Sequence, residues 1–98
     1  MSTYILLTKL TPEVMKDLKD RQKIGRRWMN AVAKACPEVT WVAHYALLAP
    51  YDFMDIFEAP NEEVAAKVSM ITLSSGALEA ESWTAIPYSR FLQLVEQI

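Results

Sequence analysis

Few residues in this chain have side chains suited to chemistry, and they cluster in one stretch. The single histidine, His44, lies in the apolar run VTWVAHYALL, and Asp55 lies in the apolar run DFMDIFEAP. Ala49-Pro50-Tyr51 joins the two runs. A histidine whose tautomer is fixed by a carboxylate can serve as a general base. The plainer role for the same pair is a satisfied cross-strand contact, or a contact with a second subunit. Tyr45 and Tyr51 are hydrogen-bond donors close by in sequence. Asp52 can bind a ligand at the mouth of a cavity, or accept backbone hydrogen bonds at the chain reversal, a common aspartate role. Trp41, with Trp28 and Trp83, can line a cavity for a flat ligand or fill the core.

Other chemistries find little support. Cys36 precedes Pro37 with neither a nucleophile motif nor a metal-ligand spacing. With one His and one Cys, no metal site is expected, and two glycines cannot build a phosphate-cradling loop. No cofactor is expected. The basic cluster Lys16, Lys19, Arg21, Lys23, Arg26, Arg27 and Lys34 can attract an anionic ligand or an acidic partner. With Asp17 and Asp20 interspersed, it also reads as the solvated face of a helix.

The elements that must position these residues follow from periodicity. Residues 39–60 read as a long strand, a tight reversal and a second strand. Strict alternation puts Val39, Trp41, Ala43, Tyr45 and Leu47 on one face of the first strand. Thr40, Val42, His44, Ala46 and Leu48 then take the other. Ala49-Pro50 is a poor two-residue primed turn, because proline cannot supply φ > 0. A type I turn with Pro50 second is expected, which pairs Ala46 with Asp55. The two-residue alternative pairs His44 directly with Asp55. Either of these registers leaves His44 and Asp55 on one face, whereas a three-residue loop would put Tyr45 opposite Asp55.

Around this hairpin, residues 3–9 (TYILLTK) read as a strand apolar on both faces, Tyr4 and Leu6 against Ile5 and Leu7. Thr11-Pro12-Glu13 is a helix start, and the helix is expected to run to about residue 35. Gly25 marks a close approach to the sheet or a break into two helices. Asn61, followed by two acids, caps a second helix that ends at Ser74-Ser75-Gly76. Residues 78–86 alternate as a fourth strand. Pro87 precedes a terminal helix with Phe91, Leu92 and Val95 inward. The order β-α-β-β-α-β plus a helix is the ferredoxin-like pattern, an α+β fold with both helices on one face of a four-stranded antiparallel sheet.

The totals set bounds. The 98 residues suit a single domain spanning 1–98. At 52% apolar or aromatic, the chain has more apolar side chain than one small core requires, and the surplus suits an oligomer interface or a ligand cavity. The net charge of −2 gives no reason to expect nucleic acid. Residues 11–36 carry seven Lys/Arg against three Asp/Glu, and the remainder three against nine. No stretch is long and apolar enough for a membrane span, and no signal peptide is evident. The lone cysteine fits a cytoplasmic protein.

Several short pieces then fall into a familiar order: Thr3-Tyr4-Ile5, Thr11-Pro12, Tyr51-Asp52-Phe53 with Glu58-Ala59-Pro60, and Glu79-Ala80-Glu81. In these the chain resembles the GYD-domain family, small bacterial and archaeal proteins named for a glycine shortly before a Tyr-Asp pair. Here Ala49-Pro50 stands where the family usually has its glycine. The resemblance implies a dimeric α+β-barrel type of fold and no known activity. Similar folds carry cofactor-free monooxygenases, haem-dependent enzymes and plain binding modules, so fold alone does not decide function.

Two readings of function follow. In the first, the chain is a homo-oligomeric, non-enzymatic domain that binds a small hydrophobic ligand. In the second, it is a cofactor-free enzyme of the monooxygenase or isomerase kind. His44 is then the base, Asp55 its orienting partner, and Tyr45 or Tyr51 the donor. The discriminating observation is whether His44 lines a pocket that can admit substrate.

Overall fold

The computed structural model describes residues 1–16 and 18–98. Four strands form one antiparallel sheet in the order β2-β3-β1-β4: β1 (Ser2–Leu10), β2 (Thr40–Ala46), β3 (Phe53–Ala59) and β4 (Ala77–Ala85). The helices are α1 (Pro12–Lys16), α2 (Arg21–Ala35), α3 (Glu62–Ser74) and α4 (Tyr88–Glu96). This is the expected α+β order with its terminal helix. β1 lies in the interior of the sheet, with Tyr4 and Leu6 buried on the helical face and Leu7 buried on the other. Tyr4, Leu6 and Phe57 on the helical face meet Val32, Cys36, Val64 and Val68 in the core. Local signals set the ends. Thr11 Oγ1 accepts from Val14 N at 3.4 Å, and Asn61 Oδ1 from Val64 N at 3.1 Å. Gly76 turns from α3 into β4 at φ 107°, a conformation that glycine adopts without strain.

Four expectations are corrected. The first helical stretch is in two pieces, α1 ending at Lys16 and α2 beginning at Arg21, and α2 runs straight through Gly25. Nor does Gly25 mark a close approach: a Cβ placed there meets nothing within 4 Å. Asp17, one of the acids in the basic run, lies outside the described residues. The hairpin takes the register that pairs His44 with Asp55 and Ala46 with Phe53, not the shifted one. Asp52 fixes the start of β3 against β1, since its N–H donates to Thr8 O and its Oδ2 accepts from Leu10 N, each at 2.8 Å. The hairpin closes through Leu47 N–H to Asp52 O, around a cis Ala49–Pro50 peptide.

Strict alternation also fails in β2. The pairing shifts between Trp41, opposite Phe57, and Ala43, opposite Ile56. Val42 is the extra residue of a bulge, and a bulge reverses the alternation beyond it. Trp41 therefore shares the helical face with His44. Finally, α4 buries none of its residues. Phe91, Leu92 and Val95 do not turn inward; they are 48%, 45% and 50% exposed.

Candidate functional site

A cavity of about 440 Å³ lies between the helical face of the sheet and helices α1, α2 and α3. Its walls are largely apolar, with Leu10, Ile24, Trp28, Met29 and Phe53 among them. The sheet contributes its polar inner wall. His44 and Asp55 lie opposite each other in the β2–β3 ladder, and Thr8 comes from β1. Asp55 pairs with Leu6 across β1 and Thr8 pairs with Phe53, so all three residues share the face bearing the core.

His44 Nδ1 and Asp55 Oδ1 are 2.7 Å apart. With Asp55 ionised, Nδ1–H donates to the carboxylate and Nε2 keeps its lone pair. The His44 side chain is 43% exposed and that of Asp55 only 7%. Burial pushes the Asp55 carboxyl above its ordinary value, and the hydrogen bond and charge of His44 pull it partway back. The imidazole packs beside Trp41 and Trp28, with ring centroids 5.1 and 6.4 Å away. Trp28 is held in turn by Nε1–H donating to Thr72 Oγ1 at 2.8 Å. Thr72 Oγ1–H donates to Val68 O at 2.7 Å. The dyad thus has a supported base and a wall of oriented rings.

The remaining ligand candidates lie elsewhere. Tyr45 sits opposite Met54, on the sheet face away from the helices, and is half-exposed. Tyr51 donates to a Glu81 carboxylate oxygen, which raises its phenol pKa. Asp52 serves the backbone of β1. Trp41 backs His44 rather than lining the main cavity. Cys36 is sealed in the core, where burial raises its thiol pKa. Among the described residues, no group of three His, Cys, Asp or Glu side chains could hold a metal ion. No helix among them is long and apolar enough to cross a membrane.

Sequence reasoning missed Thr8. Its Oγ1 is buried and has no hydrogen-bond partner among the described residues. The signal was available: a hydroxyl on the Tyr4/Leu6 face of an interior strand must find a partner or remain unsatisfied.

The GYD domain family model matches residues 4–95, nearly the whole chain and the whole of this site. The chain belongs to the GYD domain family. One relative of this GYD domain is a protein of Thermus thermophilus described as "Glutamine synthetase and cystathionine beta-lyase binding protein". It is 32% identical over 88 residues, which cover 89% of this chain and 90% of the relative. No solved structure matches this GYD domain.

Proposed function

We propose that this GYD domain is a homo-oligomeric binding protein whose cavity takes a small, mostly apolar molecule carrying a polar atom. The observation that carries the reading is the apolar cavity with His44, Asp55 and Thr8 on one wall, the Thr8 hydroxyl having no partner among the described residues. Its volume falls in the range of small-molecule sites, about 300–1,000 Å³. Isothermal titration with 2-naphthol, an apolar body with one hydroxyl, tests it. Saturable binding at one site per chain is expected. It should vanish in Gly25→Leu, whose side chain grows into the open space above Gly25. Unaltered binding in a folded Gly25→Leu protein would place the ligand elsewhere.

The His44–Asp55 contact favours a second reading, cofactor-free proton transfer of the isomerase or monooxygenase kind. His44 Nε2 would accept a proton from carbon next to a carbonyl, and Asp55 would stabilise the resulting imidazolium. Hydrogen–deuterium exchange at the α-carbon of 2-tetralone, followed by NMR, tests this. Wild-type protein should accelerate the exchange and His44→Gln should not, while both still bind the ketone. Exchange at the buffer rate with bound wild-type protein leaves only the binding role.

The relative's description adds a protein partner to the proposal. By that similarity the chain also docks on another protein. The two enzymes named in the description are the first to test, by co-sedimentation. A reducing compartment such as the cytoplasm suits a protein whose lone thiol is buried and unpaired.

A further inference from the structure

The cavity has two ends of different charge. At the inner wall are Asp55, its partner His44 and the Thr8 hydroxyl. At the α2 side are Arg21 and Arg26. Helix α2 carries five Lys/Arg and no Asp/Glu. Arg21 stacks over the Phe53 ring, 5.3 Å from its centroid, and Nη1 reaches Met15 Sδ at 3.4 Å. Neither contact neutralises its charge. Among the described residues, neither Arg21 nor Arg26 forms an ion pair with a carboxylate. Phe53, under the Arg21 guanidinium, lies two residues before Asp55 on the same strand face, about 7 Å of strand rise away.

This separation assigns roles. An anion beside Asp55 would bring a like charge to a buried carboxylate, which is unfavourable. The same anion beside Arg21 and Arg26, which have no carboxylate partner among the described residues, gains charge-assisted, planar hydrogen bonds. Thr8 is 4% exposed and its hydroxyl has no partner among the described residues, so it calls for a neutral polar atom from whatever fills the cavity.

Resting on the binding reading above, we propose that the ligand is an organic acid of single negative charge. Its carboxylate lies against Arg21 and Arg26, its apolar body fills the cavity, and a neutral oxygen at its far end meets Thr8 and His44.

Three probes with one ring system separate these parts: 6-hydroxy-2-naphthoate, 2-naphthoate and 2-naphthol, each titrated calorimetrically. The hydroxy acid should bind most tightly, and 2-naphthoate about tenfold more tightly than 2-naphthol, as expected for one charge-assisted contact. The advantage of the acids should shrink with added salt. Arg21→Gln with Arg26→Gln should remove it, bringing the two acids to the same affinity as 2-naphthol for that variant. Thr8→Val should erase the margin of the hydroxy acid over 2-naphthoate. It should also raise the Tm of the unliganded protein, because it replaces an unpaired buried hydroxyl with a methyl of the same shape. If 2-naphthol binds as tightly as the acids, or the arginine variants bind all three probes as wild type does, the acid assignment falls and the cavity reading stands. If none of the three binds, both fall.

Discussion

Asp55 sits where a carboxylate is least comfortable, and His44 relieves only part of the cost. Its folded-state pKa lies above the ordinary value because burial outweighs the hydrogen bond and charge of His44. Such a group holds its proton more tightly folded than unfolded. Its contribution to stability is complete below the unfolded value of 3.8 and is lost as pH rises through the raised folded value. Asparagine has no such titration, yet its side-chain oxygen still accepts from His44 Nδ1–H. The stability of Asp55→Asn relative to wild type should therefore improve steadily as pH is raised from about 4 towards 7. Urea unfolding at several pH values measures this, and a flat difference would show that the fold does not perturb Asp55. The pair can also be tested at fixed pH by combining Asp55→Asn with His44→Gln. Because His44 is nearly half-exposed, solvent screens the interaction, and a coupling of about 0.5–1 kcal/mol is expected. Additive effects would mean that the 2.7 Å contact does not persist in solution.

At the scale of elements, α2 keeps a glycine in its middle above open space. Alanine is favoured over glycine in a helix interior by about 0.8–1 kcal/mol. Since a Cβ at Gly25 meets nothing within 4 Å, no clash offsets that gain. Gly25→Ala should raise the unfolding free energy by about 0.5–1 kcal/mol in urea titrations. A loss of stability would mean that α2 lies closer to the sheet than the cavity allows. The same elements show what the sequence could and could not reveal. Strands, caps and helix order were legible because periodicity and capping residues act locally. That His44 and Asp55 share a face was legible too, since the type I and two-residue turns both preserve parity and only a three-residue loop breaks it. Their direct pairing was not, because it is set by the Leu47 N–H bond to Asp52 O that closes the hairpin, which no residue type in the turn announces. The bulge at Val42, which brings Trp41 beside His44, leaves no mark in an apolar run. The cavity was hidden for a related reason. Thr8 looks like an ordinary strand residue until α2 and α3 leave it without a partner.

The whole molecule is larger than its residue count warrants. Its radius of gyration is 14.7 Å, and its extents are 51 × 29 × 18 Å. A compact chain of this length should measure about 12.6 Å. Helix α4 buries none of its residues in a single chain, and Phe91, Leu92 and Val95 are about half-exposed. The outer face of the sheet also leaves Tyr45 53% and Trp83 51% exposed. Contiguous exposed apolar surface on a small protein marks an interaction site. A second copy of the chain is the partner we infer, because isologous pairing covers both copies' surfaces at once. Light scattering at micromolar concentration should then give at least twice the 11.2 kDa chain mass. Phe91→Glu with Val95→Glu should shift the protein to monomer. Removing two large apolar contacts, each worth about 1.5–3 kcal/mol when buried, weakens association by at least about a hundredfold. Because α4 supports nothing within one chain, the circular dichroism of the variant should match that of wild type below 100 µM, roughly the range where weakened pairing no longer holds. A wild-type protein that stays monomeric would remove the oligomer reading and leave α4 free for the protein partner that the Thermus relative's description suggests.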